Sequence, residues 1–294
     1  MQTQKNLIWK STLKEFLIFF GPLICFYLIY YLFSAGFLMK TAFQKISMIL
    51  VNGKWVGFKN FELLLTDASF ITSLENNFLF ALVSIIAGLT IGFFIAVTLS
   101  SGVRGKSVYY AIFLLPTLMP LALVATVFRN MLESRYGSVN ETLRTIGLES
   151  LAQSWLIEPN LAFGVVIILF VYLIGLPILY YTANLSNINT SLIEAAVLDG
   201  ASTTRLFFQI LFPLMKGTHK TIIISTLLMS FRAFDIVFFS TGGGPAGTTE
   251  ITGTYVYNFS TSGTNLGYAS AAAFLVMIVS LLISAIQLFL GRKS

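Results

Sequence analysis

Six long apolar stretches alternate with shorter polar ones, at about 16–39, 78–99, 108–128, 161–183, 221–239 and 268–290. Each is long enough to cross the hydrocarbon core of a bilayer as a helix. The first is too long for a signal-peptide core and no small-residue cleavage site follows it, so it is expected to remain as an anchor. Residues 40–74 are polar and predict an exposed loop with a short interfacial helix at 61–65. Gly88 and Gly92 in the second stretch are spaced to admit a neighbouring helix closely, or simply reflect the frequency of glycine in membrane helices. Pro116 and Pro120 predict a kink in the third, and the fourth is expected to break near Gly175 and Pro177. Residues 129–160 and 240–267 read as longer polar loops.

The segment 191–217 differs from every other connection. Ser191 and Glu194 have the spacing of a capping box, in which the serine takes a free backbone N–H and the glutamate reaches back. Ala195, Ala196, Val197 and Leu198 continue a short helix, and Asp199-Gly200 is a stop signal. Leu206, Phe207, Ile210, Leu211 and Leu214 then recur at helical spacing up to and past Pro213. The segment therefore predicts two short helices bent at Gly200, a knob suited to a cleft on a partner. The bend needs a residue without a β-carbon penalty.

Composition decides the class. Hydrophobic residues make up 56% of the 294 and charged residues 10%, with a mean hydropathy of +0.84. So few charges do not cover a soluble surface, and the chain reads as an all-α membrane protein in contact with lipid. The net charge of +6 comes from lysines and arginines at the ends of the apolar stretches, a mark of topology and not of nucleic-acid binding. With six spans both termini share a side. That side holds ten basic residues against seven on the other, counting Lys5, Lys10, Lys14, Arg104, Lys106, Arg205, Lys216, Lys220, Arg292 and Lys293. Both termini and the 191–217 segment are therefore expected in the cytoplasm.

No residue set for covalent chemistry is present. There is no Gly-Lys-Ser/Thr phosphate loop, and Gly242–Gly244 is a turn without a following lysine. Cys25 is the single cysteine and His219 the single histidine, so neither a disulfide, a metal site nor a catalytic triad is expected. His219, beside Lys220 at a span entrance, reads as a headgroup-level polar residue. Arg232 and Asp235 fall inside the fifth stretch, where each charge costs about 2.5–3.5 kcal/mol at a helix centre. Three residues apart on a helix they would share a face. They either pair at the end of the span or form a polar wall, with Phe231 and Phe234 free to stack on a sugar ring or to face lipid.

The 191–217 segment also carries a resemblance. Glu194-Ala195-Ala196, Asp199-Gly200-Ala201, Phe208, Ile210 and Pro213 resemble the EAA loop of binding-protein-dependent ABC importer permeases, most closely the sugar-uptake branch. Val56-Gly57-Phe58-Lys59-Asn60-Phe61, Leu115-Pro116 with Pro120, and the run from Thr241-Gly242-Gly243-Gly244-Pro245 through Thr248-Thr249 and Tyr255 to Gly267-Tyr268-Ala269 resemble further blocks of that branch. The chain departs from it at Val171-Tyr172, where a tryptophan is usual, and at Asn189, where a proline is usual.

The resemblance implies a single permease domain over 1–294 with six transmembrane helices, the type I ABC importer permease architecture, in a bacterial cell membrane. It implies that Glu194, Ala195, Ala196, Asp199, Gly200 and Ala201 couple to an ATPase, and that Tyr172, Leu176, Phe231, Arg232, Phe234 and Asp235 are candidates for the substrate pathway. The implied partners are a second, different permease subunit, two ATPase copies holding the ATP and magnesium, and an extracytoplasmic solute-binding protein. Other readings are a permease for amino acids or another small solute, an ion-driven secondary transporter, for which Asp235 is the one candidate buried acid, and a membrane scaffold.

Overall fold

The computed structural model describes residues 2–47, 53–262 and 265–291. Its elements are α1 (Gln2–Ala42), β1 (Gln44–Lys45), β2 (Lys54–Trp55), α2 (Lys59–Thr66), α3 (Ala68–Ser100), α4 (Lys106–Leu118), α5 (Leu121–Met131), α6 (Ser138–Thr145) and α7 (Pro159–Leu185). There follow α8 (Thr190–Leu198), α9 (203–214), α10 (Lys216–Phe231), α11 (Phe234–Ser240), α12 (Thr252–Thr261) and α13 (Leu266–Gly291). Among the described residues four helical runs are long and apolar enough to cross a membrane, and the bent pairs α4–α5 and α10–α11 bring the spans to six when each pair counts once.

The third span is broken and not merely kinked: α4 and α5 meet at 99°. Met119 is extended (φ −77°, ψ 149°) because it precedes Pro120, and Pro120 in turn begins α5. The fifth is also interrupted, by 49° between Phe231 and Phe234. α7 breaks at Leu173 and Ile174, just ahead of Gly175. There α4 crosses it so closely that a Cβ on Gly175 would overlap the Phe113 carbonyl and the Thr117 hydroxyl. α3 begins at Ala68, ten residues before the apolar stretch at 78, because the Asp67 carboxylate caps it by accepting the Ser69 N–H at 2.8 Å.

The chain forms two compact units, residues 1–64 with 259–274 and residues 65–258 with 275–294. In the first, antiparallel β1 and β2 pair Gln44 with Trp55. The connection between them includes 48–52, part of the expected 40–74 loop that lies outside the described residues. Asn60 is buried and donates to the carbonyls of Ala42 (2.8 Å) and Gln44 (3.0 Å). A Cβ on Gly267 would overlap that same Gln44 carbonyl, so only glycine fits.

The second unit holds two large apolar clusters and a smaller one around Ile224, Phe231 and Ile283 among the described residues. One of the large two gathers Phe80, Val124, Val166, Leu169 and Val237 from α3, α5, α7 and α11. The other gathers Phe93, Ala96, Ile178, Tyr181, Leu211 and Ile222 from α3, α7, α9 and α10. Gly88 and Gly92 bound a π-turn in α3. Added Cβ atoms would stand 3.0 Å and 3.2 Å from the Pro177 ring, so the two glycines do admit α7 closely.

Candidate functional site

α8 does not begin with a capping box at Ser191. Asn189 is the cap, its side chain accepting the Ser191 N–H at 3.1 Å, and Ser191 is already inside the helix. Asparagine caps as well as serine does, so the helix starts two residues earlier and Glu194 is not needed to close it. Glu194 is exposed, and its side chain makes no hydrogen bond or ion pair among the described residues.

The other end of α8 is closed by backbone alone. Asp199 N–H donates to the Ala195 carbonyl (2.9 Å), Gly200 N–H to Val197 (3.0 Å) and Ala201 N–H to Ala196 (2.9 Å). The last two bonds make a Schellman motif, with Gly200 left-handed at φ +80°. The Ser202 hydroxyl then accepts the Arg205 N–H at 3.3 Å and starts α9. α9 contains a π-turn over Leu206–Leu211 and ends at Met215. Glu194, Ala195, Asp199 and Gly200 are exposed, while Ala196 and Ala201 are half-buried. The six stand together at one capped turn.

His219, read as a polar residue at a span entrance, is half-buried and held at both ring nitrogens. Its Nδ1 lies 2.6 Å from the Tyr181 hydroxyl and its Nε2 2.9 Å from the Phe212 carbonyl. Phe93 presents an edge to it at 5.9 Å between ring centres. Tyr181 and Phe93 are almost wholly buried.

A second set of polar contacts lies where α3 and α10 meet the chain ahead of α12. Asn77 is fully buried. Its Nδ2 donates to the Ser230 carbonyl at 2.9 Å, and its Oδ1 accepts both the Thr252 N–H and hydroxyl at 2.8 Å. Ser230 returns a bond to the Asn77 carbonyl at 2.7 Å. Asn76 donates to the carbonyls of Thr248 (3.0 Å) and Glu250 (2.9 Å). The glycine-rich turn is closed by Thr249, whose hydroxyl donates to the Gly244 carbonyl at 2.7 Å. Beside it the Glu250 carboxyl is pushed above the ordinary carboxylate range by burial and by Asp67, against an opposing bond from Asn258 at 3.1 Å.

The pathway candidates do not converge. Leu176 lines a narrow cleft of about 60 Å³ with Ser84, Pro177, Ser225, Thr226 and Met229. Phe231 is buried edge-on against Phe78, 5.2 Å between ring centres. Phe234 stacks on Phe238 at 4.8 Å, and Tyr172 is exposed beside Phe128. Arg232 and Asp235 form no ion pair, and the break at Ala233 removes the shared helix face that spacing implied. Arg232 caps the C-terminal end of α10, and Asp235 sits in the first turn of α11. Each charge thus meets the helix end of opposite polarity.

Asn76, Asn77, Ser230 and Tyr181 are not singled out by the sequence, and the partners of His219 are not legible there. The adjacent asparagines immediately ahead of an apolar stretch were the available signal, since a polar pair there extends a helix only where buried partners receive it.

A family model described as "binding-protein-dependent transport system inner membrane component" matches residues 88–294. The chain is 32% identical over 237 residues to the probable ABC transporter permease protein YurN of Bacillus subtilis, covering 80% of this chain and 81% of that one. It is 29% identical over 245 residues to the multiple sugar-binding transport system permease protein MsmF of Streptococcus mutans, covering 82% and 83%. Its fold matches a chain in the crystal structure of a bacterial ABC transporter involved in the import of the acidic polysaccharide alginate. That match has a TM-score of 0.81, 22% identity, and covers 97% of this chain and 98% of that one.

Proposed function

Because the chain belongs to the family of binding-protein-dependent transport system inner membrane components, we propose that it forms half of the pathway of an ATP-driven importer for a sugar or oligosaccharide. The observation that carries the coupling role is α8. Six of its nine residues are apolar and none is buried, with Leu198 87% exposed. An isolated helix this short is marginal in water, yet both its ends are closed. Such a helix is a preformed apolar knob whose burial is completed by a partner.

The partner is an ATPase subunit, which also holds the ATP and magnesium. Glu194, Ala195, Ala196, Asp199, Gly200 and Ala201 form the dock, and both termini share its cytoplasmic side. A second, different permease completes the pathway, and an extracytoplasmic binding protein delivers the solute. Within this chain Leu176 lies at the pathway wall. The exposed Tyr172 and Arg232 contribute where the second permease closes on them, and Phe231, Phe234 and Asp235 set the local geometry of the α10–α11 break. ATPase closure moves the dock, and by linkage the loaded binding protein stimulates hydrolysis. The sugar class rests on relatives such as the Streptococcus mutans permease.

The test is co-purification in mild detergent, comparing wild type with Glu194→Lys and Gly200→Val. Wild type is expected to retain an ATPase. Each variant should still insert but lose about tenfold in retained ATPase, equivalent to about 1.4 kcal/mol. A wild type that retains no ATPase and takes up solute with an ion gradient would overturn the reading.

A further inference from the structure

We propose that His219 is the joint through which displacement of α8 and α9 reaches the helices lining the Leu176 cleft, acting as a positioning residue that touches neither solute nor nucleotide. The inference rests on the importer reading above. For a neutral imidazole the geometry leaves one arrangement of protons. A backbone carbonyl only accepts, so the nitrogen facing Phe212 carries the hydrogen, and Nδ1 accepts the Tyr181 O–H. A neutral imidazole therefore spends both nitrogens, one on α9 and one on α7, from its own place on α10.

Rings complete the joint. Phe212 lies 4.3 Å from the His219 ring centre and Tyr181 5.5 Å. Phe93, at the end of the α3 π-turn, touches Phe207 (4.7 Å), Phe212 (5.3 Å) and Tyr181 (5.0 Å). Four elements thus meet around one side chain. From Tyr181 the helix runs back to Pro177, wedged between Gly88 and Gly92, and to Leu176 on the cleft. That is about 7.5 Å along the axis. A contiguous chain of close contacts on rigid helices can carry a displacement over such a distance.

The experiment uses the full complex with its ATPase and binding-protein partners in nanodiscs, in a Cys25→Ser, Leu176→Cys background. The labelling rate of Cys at 176 by a polar maleimide is measured before and after trapping with ATP, magnesium and vanadate. Trapping is expected to change that rate about tenfold in the background protein, within the usual range of allosteric couplings. With Tyr181→Phe, which removes one oxygen and keeps the ring, the change should shrink to about threefold, and with His219→Phe to less than about twofold, although nucleotide is still trapped. His219→Gln, which keeps a donor for the Phe212 carbonyl, should recover part of the response.

A full response to trapping in both Tyr181→Phe and His219→Phe would overturn the inference while leaving the importer reading intact. If His219→Phe does not assemble, Tyr181→Phe alone decides by the same criterion. Absence of nucleotide trapping in the background protein would overturn the importer reading and the joint with it.

Discussion

The α8 knob and the Asn77 junction are held by opposite means. α8 is closed by one side-chain cap and a backbone motif, and it leaves Leu192, Val197 and Leu198 exposed while Ile193 packs on the unit. The junction buries its polar side chains and satisfies them against the end of α10 and the first residue of α12. A buried donor or acceptor left without a partner costs more than the bond it replaces, so the junction tolerates little change. The knob loses little stability when altered but loses the shape a partner reads. One region secures the unit and the other is free to be handled from outside.

The contrast is broken most strongly at Asn77. Asn77→Leu strands the Thr252 N–H and hydroxyl, while the Ser230 carbonyl keeps the Ala233 N–H at 3.3 Å. It should cost at least about 2 kcal/mol, at about 1–3 kcal/mol per stranded group, seen as a lower thermal midpoint in detergent and poor yield. Unchanged stability would show that water or a rearranged chain satisfies those groups.

At the knob, Gly200→Ala places a β-carbon at φ +80°. It should cost about 1–2 kcal/mol locally and leave the midpoint of the unit nearly unmoved, while retention of the ATPase falls. Smaller still is Asn189→Ala, at about 1 kcal/mol for the lost cap, with Asn189→Ser restoring it. If these two lowered the global midpoint as much as Asn77→Leu, the distinction between the regions would fail.

The smallest effect is a pH dependence at the junction. Glu250 binds its proton more tightly folded than unfolded, because burial and Asp67 disfavour its charge. Its contribution is therefore complete below the ordinary carboxylate value and is lost as pH rises through the raised one. Thermal midpoints measured between about pH 4 and pH 7 should fall on this account with rising pH, and Glu250→Gln should flatten that fall. An identical slope in the variant would remove Glu250 as its source.

Much of this was legible from residue order. Span positions follow from the length of apolar runs, since a bilayer demands about twenty apolar residues per helix whatever the neighbours. The bend at Gly200 was legible because left-handed backbone selects glycine locally. The capping box was misread because Asn189 and Ser191 both make good caps, and choosing between them depends on where the chain leaves α7.

Tertiary structure decided the rest. Whether Arg232 and Asp235 pair depends on the break at Ala233, and spacing in a sequence presumes an unbroken helix. Asn77, between the expected loop at 40–74 and the apolar stretch at 78–99, carries no local signal of its role because its partners lie more than 150 residues away along the chain. His219 looked peripheral because Tyr181 and Phe212 reach it only once α7, α9 and α10 are packed. Local backbone preference and bilayer thickness act on each segment alone and can be read in order. Polar satisfaction is a relation between distant groups, and only the packed chain brings them together.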